Sequence, residues 1–134
     1  MPFYQVAEMA ESKSKLNAAI TRKTVAGELM KAGVVTKLEG EGPPLHMHPN
    51  EEQFALIIEG KLHYILGDEE RTVEKGDLIH IPRNTNHRSR AVGGSAVFFA
   101  VKSPCGDGEL DQDYNMAEGA EEAEKSFPGG NGAS

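Results

Sequence analysis

The chain has 134 residues, a length that fits one domain and buries a core without structural metals, and its single cysteine, Cys105, excludes an internal disulfide. The net charge is −7, and outside the last thirty residues the 13 acidic and 13 basic side chains cancel, which leaves no basic footprint for nucleic acid. The longest apolar run, FALII, is far short of a bilayer span, and the N-terminal stretch MPFYQVAEMAESKSK lacks the sections of a secretory signal, so a cytoplasmic, membrane-free location is expected.

From residue 33 onward, glycines and prolines punctuate short β-branched and aromatic runs: GVVTKL, QFALIIEG, KLHYILGD, RTVEKGD, DLIHIP, HRSRAV and SAVFFAV. Many short strands at this spacing predict an all-β antiparallel sandwich or barrel. Gly60 and Lys61 separate two strand-like runs, and LGDEERTV reads as a hairpin turning through Gly67 and Asp68. FALII is apolar at every position, so both faces of its strand need cover, one from the core and the other from a second sheet or a partner subunit. A homodimer is therefore expected. From Cys105 to Ser134 eight acidic residues face Lys125 alone. This tail reads as a solvating or packing appendage, or else a lid or partner contact; MAEGAEEAEKSF suits a short helix, and PGGNGAS suits disorder.

In LHMHPNEEQ, residues 45–53, His46 and His48 lie two apart and on one face of a strand, where both imidazoles can address one ion. Alone this is a weak signal, but it lies in a longer pattern. Gly40, five residues, His46, one residue, His48, four residues, Gln53, six residues and Gly60 form one stretch. Gly76, five residues, Pro82, one residue, Asn84, two residues and His87 form a second, with 15 residues between Gly60 and Gly76.

These two stretches resemble the paired signature motifs of the cupin superfamily, and the likeness covers roughly residues 28–102. The resemblance implies a conical antiparallel β-barrel, the jelly-roll or double-stranded β-helix form, spanning 1–104 and followed by the tail at 105–134. It implies one divalent transition metal per chain (Zn, Mn, Fe, Ni or Co) in the barrel mouth, held by His46, His48, Gln53 and His87. Three positions depart from the family pattern: Gln53 replaces a glutamate, Asn84 a glycine, and Ala91 a common asparagine. Asparagine tolerates a left-handed turn. A shifted register makes Glu52 the ligand; the distance to Gly60 favours Gln53, whose face Ala55 and Ile57 would share.

A neutral glutamine beside three imidazoles leaves the ion its full charge, favouring Lewis-acid chemistry over the histidine-and-carboxylate pattern of many iron oxygenases. The ligand set is similar to that of small pectin-degradation (KdgF-type) cupins, which open unsaturated uronates, and of small lyases and polyketide cyclases. The resemblance thus implies a lyase or isomerase acting on a small oxygenated acid, sugar acid or ketone. A cupin dioxygenase using Fe(II) and a non-catalytic small-molecule binder are the rival readings. For a separate acid or base, His80, Tyr64, His63 and Glu28 are candidates. Among Arg83, Arg88 and Arg90, one or two suit a substrate carboxylate, Arg90 foremost, while at least two are expected in solvent or interface ion pairs.

Overall fold

A computed structural model describes residues 2–117 apart from 16 and 111, together with residue 120. A short 3-10 turn (Val6–Glu8) and strand β1 (Ser12–Lys13) lead into β2 (Ile20–Ala26) and β3 (Lys31–Lys37). After them come β4 (His46–Met47), β5 (Glu52–Leu66), β6 (Glu69–Glu74), β7 (Leu78–Ile81), β8 (His87–Ser103) and β9 (Asn115–Met116). The named strands pair antiparallel in the order β1-β2-β3-β8-β4-β9, while β5 pairs with β6, β7 and β8. The fold is all-β, an antiparallel sheet curled into a half-barrel. No helix among the described residues is long and apolar enough to cross a membrane.

Two-residue periodicity sorts the side chains. Strand β3 buries Lys31, Gly33, Val35 and Lys37. Strand β5 turns Gln53, Ala55 and Ile57 inward, and β8 buries Ala96, Phe98, Ala100 and Lys102. Val35, Ile57 and Phe98 meet Leu62, Tyr64, Val73, Ile79 and Ile81 in one apolar cluster. Leu62 is fully buried there, so Leu62→Ala is expected to cost about 2–5 kcal/mol.

The two long strands bend together. Gly60 has φ 78°, and a Cβ there would lie 2.4 Å from the Ser95 carbonyl oxygen. The register shifts between Ile57, Glu59 and Lys61 on β5. The two runs expected on either side of Gly60–Lys61 are thus one strand, bent through an irregularity that curls the sheet. The hairpin through Gly67 and Asp68 forms as expected, with Leu66 opposite Glu69, and Asn84 takes φ 60°.

On the outer face Phe54, Leu56 and Ile58 of β5, Leu78 of β7 and Phe99 of β8 are exposed in the single chain. Described residues after Cys105 pack on the barrel. Leu110 enters the main core, β9 pairs with β4, and Ala117 and Ala120 pack on Leu45 and Ile65. Of the readings of this tail, the packing one describes Leu110, β9, Ala117 and Ala120. The helix expected within MAEGAEEAEKSF and the disorder expected of PGGNGAS lie almost wholly outside the described residues.

Candidate metal centre

Strand β4 is only two residues long, yet it carries His46 directly opposite His87, the first residue of β8. His48 follows one residue beyond β4. The three ring centroids lie 4.3 Å (His46–His87), 5.0 Å (His46–His48) and 5.1 Å (His48–His87) apart. One nitrogen from each ring falls within 4.8 Å of the other two, and all three residues are buried.

Backbone carbonyls hold the rings. Nδ1 of His46 donates to Pro44 O at 2.6 Å, Nδ1 of His87 to Thr85 O at 2.9 Å, and Nδ1 of His48 is shared between Gln112 O (3.1 Å) and Asp113 O (3.0 Å). A carbonyl only accepts, so each Nδ1 carries the proton and each Nε2 keeps its lone pair. Burial is the main cause that lowers all three pKa values, His46 to about 2 and His87 to about 3, and Lys102 adds to the effect at His48. The imidazoles are neutral in the physiological range, as ligation requires.

Gln53 is buried and lines the same cavity as the three histidines. Glu52 points to the outer face, where its carboxylate meets Nε2 of His80 at 2.6 Å. The strand phase thus puts Gln53, not Glu52, on the cavity side. Neutral imidazoles with anchored rings and a neighbouring amide oxygen fit a divalent transition ion.

The cavity has a volume of about 90 Å³. Beside the histidines it is lined by Tyr64, Ser89, Phe98 and Tyr114, and by two lysines, Lys37 and Lys102. Among the described residues no carboxylate lines it. Tyr64 hydrogen-bonds Ser89, and burial pushes its phenol up to about 12. Tyr114 stacks on His46, and Lys102 Nζ stands 3.5 Å from His48 Nε2 while donating to Leu110 O at 2.7 Å. Outside the cavity wall Glu51 joins Lys31 at 2.6 Å and Lys102 at 3.4 Å.

Several expected acid–base candidates lie elsewhere. His80 is on the outer face, stacked on Phe54, because the inward positions of β7 are Ile79 and Ile81. Arg90 does not line the cavity; its guanidinium donates to Gly40 O at 2.9 Å. Arg88 is 0% exposed, with Nη2 3.4 Å from His63 Nδ1, so two of the three arginines are buried rather than solvent-facing. The segment around Gly40 and Gly42 runs beside β8 and covers Arg90. His63 is buried away from the cavity and pairs with Glu70 at 2.8 Å. Glu28 and Arg83 are exposed. Tyr64 alone of these candidates lines the cavity.

Lys37 and Lys102 were absent from the sequence-based candidates, although a signal existed. In VVTK and FFAVK each lysine shares its strand phase with an inward apolar residue, Val35 for Lys37 and Phe98 for Lys102.

Comparison with known proteins agrees with this fold. Over 79 residues the chain is 35% identical to the oxidoreductase iacF of Pestalotiopsis fici, a match covering 56% of this chain and 39% of that protein. This chain thus spans well under half of that relative's length. Among solved structures, KdgF from Halomonas sp. superposes with a TM-score of 0.70 at 24% identity, over 78% of this chain and 94% of that one. The polyketide cyclase RemF from Streptomyces resistomycificus superposes with a TM-score of 0.74 at 17% identity, over 96% and 94% of the two chains. The family model described as a cupin domain matches residues 33–102, just over half of the sequence, and the chain belongs to the cupin family.

Proposed function

We propose that the chain is a divalent-metal-dependent enzyme of the lyase or isomerase type, acting on a small oxygenated acid, sugar acid or ketone. The observation that carries this reading is the pairing of three neutral, backbone-anchored histidines with a cavity wall on which the described residues place no carboxylate. His46, His48, Gln53 and His87 would hold one ion. When bound by neutral ligands, such an ion supplies Lewis acidity toward a carbonyl, carboxylate or hydroxyl oxygen. The chain's own groups bind and orient the substrate. Tyr64 stays a protonated phenol on the cavity wall, the Lys102 side chain stands beside His48, and Leu110 and Tyr114 help to exclude water from the mouth.

The fold shared with a polyketide cyclase is consistent with non-oxidative chemistry. The 35% identity to a protein named an oxidoreductase favours the second reading, an iron-dependent cupin dioxygenase. Elemental mass spectrometry on protein purified without added metal, with parallel oxygen-uptake assays, separates them. About one Zn, Mn, Ni or Co per chain without oxygen uptake is expected. Predominant iron with oxygen consumption would replace the first reading by the second, and no retained metal would leave a binding role.

A further inference from the structure

Three lysines point into the barrel, and they are not equivalent. Lys31 and Lys102 share the buried carboxylate of Glu51. Lys37 is 5% exposed and lines the cavity, and among the described residues no carboxylate pairs with it. Its Nζ donates to Ser89 Oγ at 2.6 Å and to Ser89 O at 3.0 Å, and it lies 5.4 Å from the centroid of the Phe98 ring. Those two bonds occupy two of the three ammonium hydrogens.

The charged groups near Lys37 do not compensate it. Arg88 and Arg90, both on β8, are cationic, and His46 and His87 are neutral. Burial first, then Arg90 and Arg88, bring the Lys37 pKa from 10.5 down to about 7, as a buried ammonium without a counter-charge requires.

We propose that Lys37 is the anchor for a carboxylate group of the cavity's ligand, so that the substrate is a small carboxylic acid rather than a neutral sugar or ketone. The remaining ammonium hydrogen serves one carboxylate oxygen, and the missing counter-charge arrives with the ligand. Ser89 fixes the Nζ position, and Tyr64, bonded to the same serine, gives the subsite a neutral wall. Lys102 cannot take this part equally, because its ammonium already meets Glu51, Leu110 O and His48. The inference rests on the reading above only in placing the substrate in this cavity.

The test uses lactate and its neutral isostere lactamide as probes. Each is titrated calorimetrically into the purified chain, into chelator-treated chain, and into the Lys37→Met variant, with metal content measured on every sample. Lactate is expected to bind the wild type at least about tenfold more tightly than lactamide, and Lys37→Met to lose that margin, the worth of one charge-assisted hydrogen bond. Met matches the length of the lysine stem and removes an uncompensated charge, so the variant is expected to fold; circular dichroism checks this, and Lys37→Gln is a second neutral variant. Equal lactate affinity in wild type and variant, equal affinity for the two probes, or no lactate binding to the wild type would overturn the proposal. A lost margin in chain that purifies without metal would uphold Lys37 while removing the metal-dependent reading. Metal present with an unchanged margin would do the reverse.

Discussion

Tyr114 stacks on His46, with ring centroids 4.6 Å apart and planes 28° from parallel. The same short segment gives His48 its two carbonyl partners, Gln112 and Asp113, so two of the three histidines are seated by chain that follows the last long strand. Tyr114→Ala is expected to leave metal stoichiometry unchanged, to lower stability by about 1 kcal/mol and to speed metal loss to a chelator. Thermal unfolding and the rate of chelator extraction measure both effects. An unchanged extraction rate would show that this segment does not close the site.

Glu51 is the anion between two buried lysines. Glu51→Leu removes the carboxylate that both ammonium groups meet, an expected loss of about 3–5 kcal/mol. Adding Lys31→Met to that variant should restore part of the loss. Urea unfolding of the two single variants and the double gives the coupling, and simple additivity would deny that Glu51 and Lys31 act as a pair.

Adjacent residues should behave oppositely at positions 52 and 53. Gln53→Glu brings a carboxylate to the cavity wall, and the variant is expected to hold metal more tightly against a chelator while turning over more slowly. Glu52→Gln removes only the exposed pair with His80, at a cost of less than about 1 kcal/mol and with no change in metal content. Competition with a chromogenic chelator reads out both. Weaker metal retention in Glu52→Gln than in Gln53→Ala would reverse the ligand assignment.

The histidines predict an acid weakness of the metal-free protein. Their folded pKa values are lowered, His46 to about 2 and His87 to about 3, against 6.5 for the free group. Below pH 6.5 the unfolded chain takes up protons that the folded chain refuses, so stability falls as pH drops from 6.5 toward 3. Each histidine contributes up to about 1.4 kcal/mol per pH unit in that window. Urea midpoints of chelator-treated protein at neutral and mildly acidic pH are the measurement, and His46→Asn should flatten the slope.

Phe54, Leu56, Ile58, Leu78 and Phe99 make an apolar stripe on the outer face of the sheet. A second copy is the expected cover, because the stripe is a sheet face of antiparallel strands that can meet its own counterpart about a twofold axis. Sedimentation should show a dimer for the wild type and a monomer for Leu56→Glu. A monomeric wild type at micromolar concentration would exclude this assembly.

Much of the fold and part of the site follow from local rules. Alternation along QFALII sets Gln53, Ala55 and Ile57 on one face, and the structure keeps that phase. His46, His48 and His87 cluster as the resemblance to the cupin motifs implied, and Asn84 and Gly67 take the left-handed turns expected of their residue types. Strand periodicity is a property of the backbone, so a short stretch of sequence is enough to read it.

What the sequence left undecided depends on contacts between distant residues. His80 is close to His87 in sequence, yet β7 turns it outward to Glu52. Arg88 and Arg90 alternate away from the cavity and would face solvent, but the segment at 40–42 lies over Arg90 and Arg88 is buried beside His63. The acidic composition after residue 104 left a solvating or packing appendage, a lid and a partner contact all open, while in the fold Leu110, Gln112 and Tyr114 are spent on the core, on Lys31 and on His46. Above all, the alternation that buries Lys31, Lys37 and Lys102 is local, but their counter-charge is not. Glu51 reaches two of them across the fold, while among the described residues no carboxylate reaches Lys37, a difference that only three-dimensional proximity creates.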